Sequence, residues 1–303
     1  MEGDVSSLVR MSGARPRGTL AVLGVGILAI STAAPLIKLV PDVPPLVVAA
    51  FRLGLAALIF TPLSLVRLRT AGGSLSVPDL RVVSVAGLCL ALHFAAWIAS
   101  LRYTSVASSV ALVTMNPLLL AIAGYLIWRE RLARRQWCGI GLALLGSLCI
   151  GWNDFQQAGP AMASALYGDV LAVCGAVMIS AYLLCGRAAR PRLGLSVYVG
   201  LVYGCAAVIL LAGCFIFQLP LLGYAPRVYL VLVLLALIPQ VLGHTILNWA
   251  LAYMSPTLVA LAILGEPLGA ALLAWIFLDE SVGLLQGIGA MGLLTGIVLG
   301  QQR

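Results

Sequence analysis

The hydrophobic positions form ten long runs, separated by short stretches that carry arginines, prolines and glycines. Each run is about as long as the roughly 20 apolar residues that an α-helix needs to cross the hydrocarbon core of a bilayer. The pattern therefore predicts an all-α integral membrane protein with ten transmembrane helices and short connections. The predicted spans are residues 19–40, 44–66, 81–101, 104–128, 134–152, 164–186, 194–218, 228–253, 255–278 and 281–300.

The composition agrees with this pattern and excludes a water-soluble globule. Of the 303 residues, 62% are hydrophobic and only 9% are charged, against roughly a quarter charged in an ordinary soluble domain. Lipid accepts outward-facing apolar side chains, and helices satisfy their own backbone hydrogen bonds there. The seven cysteines fall inside apolar runs without paired CxxC spacing. We therefore expect no disulfide framework, no metal site and no cofactor.

The arginines predict the orientation, because short cytoplasmic loops collect Lys and Arg. With the N-terminus inside, fourteen loop cations fall on the inner side and three on the outer side. The orientation in a membrane then explains the net charge of +8, and we expect no nucleic-acid partner. The first run is too long for the apolar part of a cleavable signal peptide. We expect a multi-pass protein of a bacterial-type inner membrane with both termini cytoplasmic.

The chain also contains an internal repeat at an offset of 150 residues. The segment RYTSVA…NPLLLA…RE aligns without gaps with AYMSPT…EPLGAA…DE. Because each copy holds five spans, the second copy must enter the membrane from the opposite side. Two inverted halves around a shared midplane site are typical of secondary transporters that work by alternating access. The expected parts are a cytoplasmic segment at 1–18, a first repeat at 19–152, an external linker at 153–163, a second repeat at 164–300 and a cytoplasmic end at 301–303.

At these residues the chain resembles the EamA family of the drug/metabolite transporter superfamily. The resemblance rests on the proline motifs at 116–121 and 266–271, each followed by a glutamate, Glu130 or Glu280, and then by Gln-x-x-Gly. It implies ten helices around a central cavity and export of metabolites without ATP hydrolysis. The first span, with Ser31 and Thr32, is similar to that of YddG-type exporters of aromatic amino acids. This narrower resemblance implies amino acids as substrates and makes Ser31 a candidate cavity residue.

Polar side chains inside the spans are the candidates for a substrate path, because charged groups at a helix centre are costly in lipid. Gln240, His244 and Asn248 recur every four residues and form one polar stripe, which either lines a cavity or bonds to a neighbouring helix. His93 and Trp97 share a helix face in the same way, and the indole is suited to stacking on a substrate, although tryptophan is also common at membrane interfaces. The remaining candidate cavity residues are Asn116, Met178 and Tyr182, of which the last two are equally compatible with ordinary packing.

Four prolines are candidate hinges, because proline removes a backbone hydrogen bond and kinks a helix. Asn116 and Glu266 are equivalent under the repeat, and each precedes one of them. Glu266 is a candidate for binding a proton in one facing state and releasing it in the other, with His244 nearby, although a neighbouring side chain could satisfy its carboxyl instead. The candidate hinges are Pro35, Pro117, Pro239 and Pro267.

Two cations and a glycine pattern complete the candidates. Lys38 and Arg52 lie toward the outer half and are candidates for contacting a substrate carboxylate, although snorkelling or a partner acid explains them equally well. Gly292, Gly296 and Gly300 recur every four residues, a pattern that permits close helix packing. It predicts either packing within a monomer, which is our default, or a homodimer.

The motifs that the sequence lacks narrow the function further. There is no phosphate-binding GxxxxGK[ST] loop and no HExxH or GxSxG motif, so the sequence predicts a transporter that is neither an ATPase nor an enzyme. The favoured function is export of amino acids, aromatic or hydrophobic, and related small metabolites. The alternatives are a broad-specificity drug/metabolite exporter of the same fold, a passive channel, and an intramembrane enzyme acting on lipid through His93, His244 and Glu266.

Overall fold

A computed structural model describes residues 16–70, 75–104, 106–129, 131–157, 162–278 and 284–301, and all regular secondary structure in them is helical. Within these residues fourteen α-helices follow one another, and a π-helical segment, Ala236–His244, lies between the tenth and the eleventh. The α-helices are α1 Thr19–Ser31, α2 Ala33–Lys38, α3 Pro45–Thr70, α4 Val77–Ser100, α5 Val106–Val113, α6 Asn116–Trp128, α7 Arg134–Gln157, α8 Met162–Ala189, α9 Leu195–Ile216, α10 Pro226–Leu235, α11 Thr245–Ala250, α12 Pro256–Ile263, α13 Glu266–Leu278 and α14 Leu284–Gln301.

The helices coincide with the predicted apolar runs, which confirms the all-α membrane fold. Within the described residues, eight helical stretches are long and apolar enough to cross a membrane. The fifth and tenth predicted runs correspond to α7 and α14, and the apolar part of α14, Gly287–Gly300, is shorter than the other eight stretches. Four predicted spans consist of two or three consecutive helical pieces rather than one, namely α1 with α2, α5 with α6, α10 with the π-helical segment and α11, and α12 with α13.

The positions of these interruptions follow the prolines. Regular α-helix stops at Ser31, Val113, Leu235 and Ile263, and each of these residues lies four positions before one of the candidate hinge prolines. A proline ring clashes with the carbonyl of the residue four positions earlier and cannot donate a hydrogen bond to it. A proline does not always interrupt a helix, however, because α3 continues through Pro62.

The two halves are held together by pairs of helices that occupy equivalent places in the repeat. The helix of the second span, α3, packs along its equivalent in the second half, α9, and the last helices of the two halves, α7 and α14, pack along each other. The most extensive of the other contacts is made by α4 against α8. Each pair joins one helix of the first half to one of the second, so the halves interlock around a common centre.

Glycines bring α7 and α14 into backbone contact. A Cβ atom built on Gly139 would lie 2.6 Å from the backbone nitrogen of Gly300 and 2.7 Å from the carbonyl oxygen of Gly296. A Cβ on Gly296 would lie 2.5 Å from the backbone nitrogen of Ala143, and Gly292 lies beside Gly146. The glycine pattern of α14 therefore serves close packing within one chain. The homodimer through these glycines stays a prediction and would compete with this contact.

Candidate functional site

A narrow cavity lies between the two halves, near the middle of the predicted spans. Its volume is about 30 Å³, and a single water needs roughly 10–15 Å³ on this measure, so the cavity in this conformation is too small for an amino acid. Each half of the chain contributes the same number of lining residues. They are Ile30, Arg52, His93, Trp97, Val113, Thr114 and Asn116 from the first half, and Ile179, Tyr182, Leu183, His244, Leu247, Ile263 and Glu266 from the second.

The cavity contains three pairs of residues that are equivalent under the repeat. Trp97 and Leu247, Val113 and Ile263, and Asn116 and Glu266 are each 150 positions apart, and all six line the same space. Equivalent residues meet in this way only where two related halves face each other across a shared axis. The cavity is thus the place where a shared site of inverted halves is expected.

Arg52 is the only lysine or arginine among the described residues that line the cavity, and its side chain is held by contacts on two sides. It is 1% exposed. Its Nε donates a hydrogen bond of 2.9 Å to Oε1 of Gln240, and its guanidinium carbon lies 4.2 Å from the centre of the Phe94 ring. Its Nη1 atom is buried and finds no hydrogen-bond partner among the described residues. A buried donor without a partner costs about 1–3 kcal/mol, so this atom favours an occupant that brings an acceptor.

Glu266 is the acidic residue that the second half contributes to the cavity. Its carboxylate lines the cavity together with Arg52, yet the two side chains form no hydrogen bond or ion pair in the described part of the chain. Asn116, its equivalent, has a buried Oδ1 atom without a partner there. Asn116 begins α6 and Glu266 begins α13. These two helix starts therefore place an amide oxygen and a carboxyl group in the cavity that Arg52 also lines.

An aromatic wall lies beside Arg52. The rings of His93 and Trp97 are parallel to within 4°, with centroids 6.0 Å apart, and His244 packs edge-on against Phe94 at 5.3 Å. Nδ1 of His93 lies 2.9 Å from the carbonyl oxygen of Gly175; because a carbonyl only accepts, this nitrogen carries the proton and donates it. Trp97 has an indole Nε1 without a partner among the described residues, which adds a second unsatisfied donor near Arg52.

Tyr182 lines the cavity from the part of α8 that is predicted to lie nearer the cytoplasm. Its ring is 1% exposed, and its hydroxyl accepts a hydrogen bond from Nδ2 of Asn248. The same Asn248 nitrogen donates to the backbone carbonyl of His244 at 2.8 Å, and the Tyr182 ring stacks on Tyr198. Tyr182 is therefore fixed by the polar stripe of the eighth span.

The structure brings most of the sequence candidates together, but not all of them line the cavity. Four that do not are placed one layer further out or to the side. Ser31 donates to the backbone carbonyls of Ile27 and Glu266. Gln240 is bonded to Arg52, and Asn248 is bonded to Tyr182. Met178 is half-buried on α8. As substrate contacts these four residues stay predictions, and Gln240 and Asn248 act in this conformation by orienting residues that do line the cavity.

Lys38 lies away from the cavity, at the end of the molecule predicted to face outward. Its ammonium donates a hydrogen bond of 3.0 Å to the backbone carbonyl of Leu101. Lys38 and Arg52, the two cations proposed for the same role, therefore occupy different places. Arg52 lines the cavity and Lys38 does not, so a carboxylate contact through Lys38 would need a different conformation.

Sequence reasoning missed the apolar part of the lining and the support of Arg52. The guanidinium of Arg52 packs on the ring of Phe94. Thr114 and six aliphatic side chains form the rest of the cavity wall. Position 94 could have been found, because it lies one residue from His93 on a helix face that also carries Trp97. The aliphatic residues carry no such signal, since an apolar residue in a membrane helix faces lipid or cavity with equal ease. Among the described residues no group of three His, Cys, Asp or Glu side chains is placed to hold a metal.

Comparison with known proteins gives a family match over both halves. The model of the EamA-like transporter family matches residues 17–152 and again residues 166–300. A crystal structure described only as that of a protein superposes with a TM-score of 0.72 at 19% sequence identity, covering 94% of this chain and 96% of the other. This likeness concerns the fold.

A named relative matches a shorter stretch. It is the "Probable 4-amino-4-deoxy-L-arabinose-phosphoundecaprenol flippase subunit ArnE" of Klebsiella pneumoniae (strain 342), which is 32% identical over 69 residues. The match covers 23% of this chain and 62% of the relative. The chain thus aligns with less than two thirds of the curated relative, and none of these matches bears on the similarity to YddG-type exporters.

Proposed function

The chain belongs to the EamA-like transporter family and is a multi-pass membrane transporter; from this premise we propose that it exports amino acids by alternating access. The proposed substrates are aromatic or other hydrophobic amino acids and related small metabolites. The proposed location is the inner membrane of a bacterial-type cell with both termini in the cytoplasm. The similarity of the first span to YddG-type exporters supports the choice of substrate.

The observation that carries the proposal is the separation of charges in the cavity. An α-amino acid is a zwitterion whose carboxylate needs donors and whose ammonium needs acceptors. Arg52 and Trp97 offer buried donors that find no partner in the described part of the chain, and Glu266 and Asn116 offer a carboxylate and an amide oxygen. Because Arg52 and Glu266 do not pair with each other, a zwitterion between them would satisfy both charges at once. The aliphatic and aromatic remainder of the lining suits a hydrophobic side chain.

The cavity has to expand before it can take such a substrate. Its volume of about 30 Å³ belongs to a closed conformation, and the interrupted helices around it give the backbone places to bend. We propose that the chain pieces on either side of Asn116 and Glu266 move relative to each other when the cavity opens. Entry from the cytoplasm and release outside then require the two halves to exchange conformations.

Glu266 is also the proposed site of coupling to protons. A single carboxylate that binds either the substrate ammonium or a proton cannot bind both, so export of the substrate would be exchanged for entry of a proton. His244 lines the same cavity and is the proposed second member of the relay.

The specificity is tested by competition with labelled phenylalanine for transport into proteoliposomes. The competitors are phenylalanine, leucine, phenethylamine, which lacks the carboxylate, and N-acetylphenylalanine, which lacks the ammonium. We expect the amino acids to compete and each analogue to be weaker by roughly tenfold or more, the cost of losing a hydrogen bond to a charged group. Arg52→Gln should remove the discrimination against phenethylamine only, and Glu266→Gln the discrimination against N-acetylphenylalanine only.

The control variant is Arg227→Gln, which changes an exposed arginine at the start of α10 and should leave all four values unchanged. If either singly charged analogue competes as well as phenylalanine, the amino-acid assignment is wrong. The match to a flippase subunit makes a broad-specificity drug/metabolite exporter the second candidate. Competition by cationic drugs, in the absence of competition by amino acids, would favour that candidate.

A further inference from the structure

Backbone carbonyls and cations tie the helix ends together at the end of the molecule predicted to face outward. Lys38, at the end of α2, donates a hydrogen bond of 3.0 Å to the carbonyl of Leu101, just after α4. Arg102 donates in the reverse direction, from the end of α4 to the carbonyl of Val43 in the turn before α3. We call these four residues the outer latch.

A corresponding connection lies at the opposite end, predicted to be cytoplasmic. Arg190, just after α8, donates through Nε to the backbone carbonyl of Asn248 at 3.0 Å and through Nη1 to that of Leu193 at 2.5 Å. The arginine is 8% exposed although it lies at the end of a helix. We call Arg190, Leu193 and Asn248 the inner latch.

The two latches correspond to each other under the repeat. Val43 and Leu193, whose carbonyls accept from an arginine, are 150 positions apart. The other acceptor of the outer latch, Leu101, corresponds to Leu251, which lies about one helical turn beyond Asn248. In both halves a cation therefore joins the end of the first span to the end of the third span. Because the halves are inverted, the two connections lie at opposite faces of the membrane.

We propose that the outer and inner latches are the closing contacts of two gates, one at each membrane face. Opening of the cavity to the outside requires Lys38 and Arg102 to release their carbonyls, and opening to the cytoplasm requires Arg190 to release its own. Both latches are formed in the present structure, which agrees with a cavity of only about 30 Å³. The inference rests on the alternating access proposed above and is independent of the substrate's identity.

Each latch is joined to the cavity through one intermediate side chain. On the outer side Ser100, beside Leu101, donates to the backbone carbonyl of Trp97 at 2.7 Å, and Trp97 lines the cavity. On the inner side Asn248 carries both the latch carbonyl and the amide that binds Tyr182. A substrate that displaces Trp97 therefore moves a residue bonded to Ser100, next to the outer latch. A substrate that displaces Tyr182 moves a residue bonded to Asn248 of the inner latch.

The test measures from which side of the membrane the cavity can be reached. A single cysteine is introduced at Ile263, which lines the cavity, in the full-length chain whose seven native cysteines have been replaced. Its rate of reaction with a charged, membrane-impermeant methanethiosulfonate is measured in right-side-out and in inside-out vesicles without substrate. Methionine substitutions then remove one latch cation at a time while retaining a long apolar side chain.

We expect Lys38→Met to raise the labelling rate from the outside by roughly tenfold. Arg190→Met should raise the labelling rate by a similar factor, but from the cytoplasmic side only. Both factors correspond to the loss of a hydrogen bond from a charged donor. Lys38→Arg keeps a donor and should stay within about twofold of the parent. Arg190→Lys keeps the charge but loses the fork through which Arg190 reaches two carbonyls, so its labelling rate from the cytoplasmic side should lie between those of the parent and Arg190→Met. The matched controls are Arg227→Met and Arg69→Met, two exposed arginines at the outer and inner ends, and neither should change the rates.

The latch inference is overturned if Lys38→Met and Arg190→Met raise labelling from the same side, or if neither changes labelling while both variants still exchange substrate. In that second case the transport function stands and only the gates are wrong. If substrate also fails to change labelling of the parent chain from either side, alternating access itself is contradicted. Retained exchange activity shows that the methionine variants are folded.

Discussion

At the scale of single residues, the unusual feature is an arginine and a glutamate that share a cavity without forming an ion pair. Buried charges without compensation are expensive, and removing a partner from such a group typically costs several kcal/mol. Arg52 is partly compensated by Gln240 and by the face of Phe94, whereas Glu266 makes no side-chain hydrogen bond in the described part of the chain. A residue kept in this state is best explained by a ligand or proton that it binds intermittently.

This leads to a prediction for Glu266. In proteoliposomes loaded with substrate, an inward proton gradient should accelerate efflux through the parent chain. Glu266→Gln keeps the size and one acceptor of the side chain but cannot exchange a proton, so the acceleration should disappear while slow exchange of substrate persists. The measurement is the efflux rate with and without the gradient. An acceleration equal to that of the parent chain would show that the coupling group lies elsewhere.

The sequence identified the polar residues around the cavity, but not which of them line it and which orient a lining residue. Arg52, His93, Trp97, Asn116 and Glu266 are conspicuous because each is polar or bulky within an apolar run. Whether such a residue faces the cavity or supports a neighbour depends on the rotation of each helix by a few tens of degrees, which the spacing of residues along one helix does not fix. Gln240 and Asn248, expected to line the cavity with His244, consequently lie behind it and orient Arg52 and Tyr182.

At the scale of helices, proline positions determine where the spans bend. The four candidate hinges predicted interruptions, and each interruption begins four residues earlier, as the clash with the preceding carbonyl requires. The sequence did not indicate that the break at Pro239 would be a π-helical segment of nine residues. A π-helical turn displaces the following side chains around the axis, and the displaced residues here include Gln240 and His244.

The contact between α7 and α14 gives a prediction about helix packing. Gly139→Ala would place a methyl group 2.6 Å and 2.7 Å from backbone atoms of α14, which cannot move without separating the helices. We expect the thermal unfolding temperature in detergent to fall, since overpacking costs typically about 1–3 kcal/mol. The measurement is the fraction of protein that remains monodisperse after heating.

Gly141→Ala is the matched control, because it lies on the same helix and a Cβ there meets nothing within 4 Å. Alanine favours a helix over glycine by about 0.5–1 kcal/mol, so this variant should be unchanged or slightly more stable. Equal unfolding temperatures for the two alanine variants would mean that the close contact between α7 and α14 does not form.

At the scale of the whole molecule, the repeat explains why one cavity is shared by both halves. The offset of 150 residues was visible in the sequence, and it correctly paired Asn116 with Glu266 across the cavity. The sequence could not predict how far the cavity is closed, because the closure depends on small displacements of whole helices. Apolar composition also conceals the aliphatic lining, since side chains that face lipid and those that face the cavity belong to the same residue types.

The central claim is that a single site between the two halves is carried from one face of the membrane to the other. It is tested most directly by counterflow in proteoliposomes loaded with a high concentration of unlabelled phenylalanine and diluted into a trace of labelled phenylalanine. Our account predicts a transient accumulation of label that saturates with concentration, with a half-saturating concentration roughly tenfold higher in Arg52→Gln because a hydrogen bond to a charged group is lost. Flux that neither saturates nor responds to substrate on the opposite side would contradict it and indicate a passive channel.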